Sequence, residues 1–241
     1  MIVEIKRSGF VQTLGFDEFE LRVRDGEIPP DTFIRFEPVT GEAFRLAGDL
    51  EFFQEAANPD RLAFRQNLTR LGVPVVTALM VGMQARVFFF GGTTDRRSFL
   101  MEHFANWGPA AFEQAEVWRL LTYSLLHADL PHILMNVCFL AYMGYHLERA
   151  MGHRNTATIY LGSVFTGGLL SLLMSPKQYS LGSSGGVWGL FGATIVIGWK
   201  YWEEIPAASR KYFGWALTPY LIWSAMSGIR AAESIDNWCH L

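Results

Sequence analysis

From residue 71 onward the chain is dominated by apolar stretches long enough to matter to a membrane, and this pattern limits its fold more than any other feature. A helix needs about 20 residues to cross the hydrocarbon core of a bilayer. Five stretches approach that length: residues 71–90 (LGVPVVTALMVGMQARVFFF), 132–147 (HILMNVCFLAYMGYHL), 156–174 (TATIYLGSVFTGGLLSLLM), 184–202 and 212–228. The first carries Gln84 and Arg86 and is the least uniform. Packed as helices of a soluble protein, five such runs would leave too little polar surface to cover them. The expected architecture for residues 66–241 is therefore an all-α polytopic membrane helix bundle.

Residues 1–65 differ in character. Charge is dense, as in FDEFELRVRDGEIPPDTFIRFEP. The stretches FELRVRDG, TFIRFEPVTG and EAFRLA read as short strands separated by Asp25-Gly26, Pro29-Pro30 and Thr40-Gly41. DLEFFQEA reads as a short helix capped by Asp49, and Asn58-Pro59-Asp60 as the start of a linker. The expectation is a small β-rich module, either a partner-binding element or a packing appendage, with no chemical motif of its own.

MIVEIKRSGF has no apolar core of a signal peptide, which points to a cytoplasmic N-terminus. Arg61, Arg65 and Arg70 precede the first span. Arg149 and Arg154 lie between the second and third, and Lys200, Arg210 and Lys211 between the fourth and fifth. All would fall on the cytoplasmic side. The net charge of −3 speaks against a nucleic-acid partner. The two cysteines, Cys138 and Cys239, read as small buried residues and not as a disulfide framework.

Against this background LGSSGGVWGL, residues 181–190, is an unusual way to enter a span. A serine there can cap the helix, and Gly185, Gly189 and Ala193 at i, i+4, i+8 can form a stripe for close helix packing. A second polar cluster, His127, His132 and Asn136, lies at the outer end of the second span, on the same membrane face. His132 and Asn136 share one helix face. Polar residues within a membrane are costly and point to function. A further histidine, His240, closes the chain in IDNWCHL.

These segments together resemble the rhomboid family. GSSGGVWGL is similar to its G-x-S-G-x-x-x-G-L signature, HADLPHILMN to its H-x-x-x-x-H-x-x-x-N motif, VWRLLTYSLLH to its Trp-Arg loop, and DNWCHL to the segment with the family histidine on the sixth span. The resemblance runs from residue 71 to 241, with the motifs in order. It implies a six-helix intramembrane serine protease acting on transmembrane protein substrates in the lipid bilayer, with no cofactor and no metal. Ser184, third in G-x-S-G, would be the nucleophile and His240 the general base, a dyad without an acid. His132 and Asn136, with the Ser184 backbone N–H, would form the oxyanion hole. His127 would be structural, as would Trp118, Arg119 and Glu148, and Gly182, Gly185 and Gly189 would supply the signature's glycines. The site would lie near the non-cytoplasmic face.

The residue types suit the chemistry. A serine hydroxyl needs a base to take its proton, a histidine titrates in the right range, and preorganised donors stabilise the oxyanion. The chain stops one residue after His240, where the resemblance implies a continuing sixth span. The expectation is therefore a truncated chain or a fragment, with a poorly held base and a small-residue stripe lacking its partner. Two other classes are a non-proteolytic rhomboid-like protein that binds transmembrane clients, and a transporter or channel. The second would show internal repeats or a charged mid-membrane path, and the sequence has neither.

Overall fold

The computed structural model describes residues 1–7, 9–58, 64, 72–205, 207–214 and 237–240. The chain divides into two compact units, Met1–Thr69 and Arg70–Leu241.

The first unit is built on a four-stranded antiparallel sheet in the order β2-β1-β3-β4, from β1 (Ile2–Arg7), β2 (Phe10–Gly15), β3 (Phe33–Arg35) and β4 (Arg45–Leu46). Alternation along β1 turns Val3 and Ile5 inward and Glu4 and Lys6 outward, where Glu4 pairs with Arg35 of β3. Helices α1 (Phe16–Arg24), α2 (Glu37–Thr40) and α3 (Glu51–Ala56) complete the unit. Phe19, Val23, Ile34, Phe36 and Phe53 join Val3 and Ile5 in its core.

Three sequence expectations change here. FELRVRDG lies mostly in helix α1 and is not a strand. Phe19 and Val23, one helical turn apart, are buried while Leu21 is half exposed, and a strand would have buried all three. Acidic Asp17 and Glu18 open this helix and Arg22 and Arg24 close it, which suits its dipole. Within TFIRFEPVTG and EAFRLA the strands shrink to β3 and β4, and the sheet's longest strands come instead from residues 2–15. The helix in DLEFFQEA begins at Glu51 with Leu50 in the capping position, so Asp49 does not cap it.

The second unit is helical. Its first helix, α4 (Val75–Phe90), coincides with most of the first apolar run. A long segment follows, residues 91–129, with helix α5 (Thr94–Phe104) and a short helix α6 (Arg119–Thr122). The second and third runs form α7 (Leu130–Met174), two limbs meeting at Gly152, whose φ of +80° and ψ of 168° break the helix. A left-handed φ is strained for most residues and free for glycine. Among the described residues α7 is the one helix long and apolar enough to cross a membrane by those criteria. The fourth run is α8 (Ser184–Lys200). Nearly all of the fifth run, 212–228, lies outside the described residues, and of the last segment Asn237–His240 is seen as a 3-10 turn. Cys239 is buried as expected, but Cys138 is exposed on α7.

The ends of the helices are tied across the unit. At the Gly152 end, buried Glu148 reaches α4, where its carboxylate accepts from the Val76 and Thr77 N–H groups at 2.8 Å each and from the Thr77 hydroxyl at 2.6 Å. Pro74 precedes that helix and offers no side-chain cap, so Glu148 caps it from another helix. His153 also bonds to Glu148.

Candidate active site

The opposite end of the helices carries the serines. Ser184 is the first residue of α8, and Ser183 precedes it in a non-helical conformation. The first N–H groups of a helix have no intrahelical acceptor, so this terminus presents donors and a positive dipole end. Ser184 is half-buried, and its Oγ lies 2.8 Å from Nε2 of His240. The His240 ring stacks on Trp188, one turn beyond Ser184, with centroids 5.4 Å apart and planes 19° apart. His240 thus stands within hydrogen-bond reach of Ser184, although the chain's end had suggested a loosely held base.

The segment before Ser184 is tightly constrained. Gly182 has φ +114°, and a Cβ there would lie 2.8 Å from Nε2 of His132. Backbone conformation and the approach of the His132 ring both demand glycine. We expect Gly182→Ala to lower stability by about 1–3 kcal/mol, the cost of one strained backbone residue, read as a shift in thermal unfolding.

His132 lies in the first turn of α7, which Asp129 caps by accepting the His132 N–H at 2.8 Å. The Ala128 N–H points at Nδ1 of His132 at 3.5 Å, which assigns Nδ1 as acceptor and puts the neutral ring's proton on Nε2, facing Gly182. Asn136 is buried one turn on, and its Nδ2 donates to the His132 carbonyl at 3.0 Å. One amide N–H is thereby used and the second is left for another acceptor. His127 packs edge-on against His132 with centroids 5.1 Å apart. Both its ring nitrogens are buried without a hydrogen-bond partner among the described residues. Burial, and next the nearby His132, push its pKa down to about 4, so it is neutral near pH 7.

The segment over residues 91–129 clasps the serine segment. Asn106 and Ser180 exchange backbone hydrogen bonds of 3.0 and 2.9 Å, Gly182 N–H donates to the Tyr123 carbonyl at 3.0 Å, and the Trp107 and Tyr179 rings stack. Arg119 holds the loop together. Only 3% exposed, it donates to the carbonyls of Ala105 (2.7 Å) and Glu102 (2.6 Å) and pairs with Glu116. A buried guanidinium persists when its donors are met in this way. Trp118 donates to the His103 carbonyl at 3.2 Å.

The structure thus brings Ser184 next to His240 and His132 against Gly182. Trp118 and Arg119 lie in the clasping loop, and Glu148 sits at the other end of the helices. The glycine stripe does not face a single partner. A Cβ at Gly185 would meet Cys239, and one at Gly189 would meet Ser163 of α7. Sequence reasoning passed over Tyr123, whose hydroxyl donates to the Val164 carbonyl at 2.8 Å and lies 3.2 Å from Cys239 Sγ, beside His240. That hydroxyl has a single proton, so in the sulfur contact the thiol is the donor. No periodicity or spacing signalled Tyr123.

Ser184, His240, His132, Asn136, His127 and Arg119 all fall within residues 114–241, which match the Rhomboid domain. The chain belongs to the rhomboid family. Rhomboids are integral membrane proteins. Among similar proteins, RHOMBOID-like protein 7 of Arabidopsis thaliana is 34% identical over 139 residues, 56% of this chain and 42% of that protein. Rhomboid protease GluP of Bacillus subtilis is 32% identical over 148 residues, 60% of this chain and 28% of that one. Rhomboid-related protein 1 of Caenorhabditis elegans is 32% identical over 145 residues, 55% and 41% respectively. The chain therefore spans less than half the length of these rhomboid relatives.

Proposed function

We propose that this rhomboid is an intramembrane serine protease that cleaves transmembrane segments of protein substrates with a Ser184–His240 dyad. The 2.8 Å contact between Ser184 Oγ and His240 Nε2, at the start of a helix, carries this reading. Ser184 Oγ attacks the scissile carbonyl as its proton passes to His240 Nε2. The resulting oxyanion is met by the Ser184 N–H, the His132 Nε2–H and the second N–H of Asn136. The C–N bond breaks, and His240 returns the proton to the leaving amine. Water, deprotonated by the same ring, then hydrolyses the acyl-serine and frees the hydroxyl. Stacking on Trp188 orients the His240 ring.

In this reading the helices span the membrane several times with the N-terminus in the cytoplasm. The Gly152 end, with Arg149, Arg154 and Lys200, faces the cytoplasm, and the Ser184 end faces the other side. A fluorophosphonate probe on the whole chain in detergent tests the nucleophile. Label mapped to Ser184 by peptide mass spectrometry is the expected result, and label confined to Ser183 would overturn the assignment. His132→Ala and Asn136→Ala are each expected to lower kcat on a transmembrane substrate by about 10²–10³. Full turnover by either variant would remove that side chain from the oxyanion hole.

A further inference from the structure

The first helix of this unit carries a polar residue that the mechanism does not use. Gln84 is 0% exposed in the middle of apolar α4. Both ends of its amide are engaged: Nε2 donates to the Tyr160 hydroxyl at 3.1 Å, and Oε1 accepts from Ser183 Oγ at 3.0 Å. Ser183, also 0% exposed, holds the N-cap position of α8. Serine there commonly bonds back to the N–H groups of the first turn. Here the hydroxyl makes no cap bond among the described residues and crosses to α4 instead. The first-turn donors are therefore not taken up by Ser183. Tyr160 grips the same turn from a third side. A Cβ at Gly186 would lie 2.5 Å from its ring, so the ring rests on the backbone two residues past Ser184.

We propose that Gln84, with Ser183 and Tyr160, forms a positioning network for the nucleophile. It fixes the turn that aims Ser184 Oγ at His240 and keeps the N-terminal donors of α8 open to a substrate oxyanion. Burial makes such a network demanding, since each unpaired amide or hydroxyl in an apolar interior is costly, and a fully satisfied set specifies one geometry. The proposal rests on the protease reading, and the two are tested by separate arms.

The experiment uses the whole chain in detergent and measures labelling of Ser184 by a fluorophosphonate, together with kcat and KM on a transmembrane substrate. Labelling of the unsubstituted chain at Ser184 tests the protease reading, and its absence would bring down that reading and this proposal with it. Given labelling, Gln84→Leu and Ser183→Ala are each expected to slow it about 10-fold at unchanged KM. The double variant should be no slower than Gln84→Leu alone, because that substitution already removes the Ser183 contact. Ser183→Thr, which keeps the hydroxyl, should recover most of the rate. Tyr160→Phe removes one oxygen atom and serves if Gln84→Leu does not fold; its expected loss is about 3- to 10-fold in kcat. Unchanged labelling per folded molecule in Ser183→Ala or Tyr160→Phe, or multiplicative losses in the double variant, would overturn the proposal.

Discussion

Ser184→Ala is expected to reduce cleavage of a transmembrane substrate by about 10⁴-fold or more, to the level of residual binding and oxyanion stabilisation. Ser183→Ala is expected to lose no more than about 10-fold. The two serines are chain neighbours of one residue type, but their surroundings differ. Ser184 Oγ is half-buried and 2.8 Å from the His240 ring, whereas Ser183 Oγ is sealed in the protein against Gln84. Of the two, only Ser184 has a histidine ring within hydrogen-bond reach among the described residues. Binding of the substrate should survive Ser184→Ala, since the substitution removes only the attacking atom. The check is a gel-based cleavage assay with both variants at matched folded concentration. Comparable loss in the two would show that the pair acts as one structural element.

The second large effect concerns stability. Glu148→Ala is expected to destabilise the helical unit by about 3–5 kcal/mol, or to prevent its recovery from membranes. The carboxylate is 3% exposed and accepts two backbone N–H groups and a hydroxyl at the start of α4. Removing it leaves three donors without their acceptor, in a place where water does not readily replace it. Glu148→Gln retains one acceptor oxygen and should lose about half as much. Thermal unfolding in detergent, followed by tryptophan fluorescence, ranks the three proteins. A Glu148→Ala unfolding temperature equal to that of the unsubstituted chain would mean that α4 is held by apolar packing alone.

These effects differ in how far the sequence anticipates them. The rhomboid family was legible because its motifs are local: G-x-S-G, the paired histidines with asparagine, and the Trp-Arg loop each occupy a few adjacent positions. Ser184 and His240 stood out as candidates for the same reason. The partners of Gln84 lie 76 and 99 residues away, and nothing in the local apolar periodicity signals a bond of that span. To sequence reading Gln84 was a blemish in an apolar run. Glu148 stood out as an acidic residue at a helix end, but its place as the cap of a helix 71 residues upstream depends on packing. In the first unit, Phe19, Leu21 and Val23 fit period two as well as half of a helical face, and only the exposure of Leu21 separates the two readings. The sheet's two longest strands formed from residues 2–15, where charge and short length hid the alternation of Val3 and Ile5.

The clasp between Asn106 and Ser180 also bears on the timing of motion. The amide hydrogens of Asn106, Ser180 and Gly182 are each bonded across two separate chain segments. None can meet solvent deuterium unless the outer loop parts from the segment leading to Ser184. The three amides therefore belong to one opening unit with a shared exchange rate, set by the free energy of that separation. Any lateral entry of a substrate that has to part the same two segments must meet the same free energy, so the protection of three backbone hydrogens would gauge the cost of access to the serine.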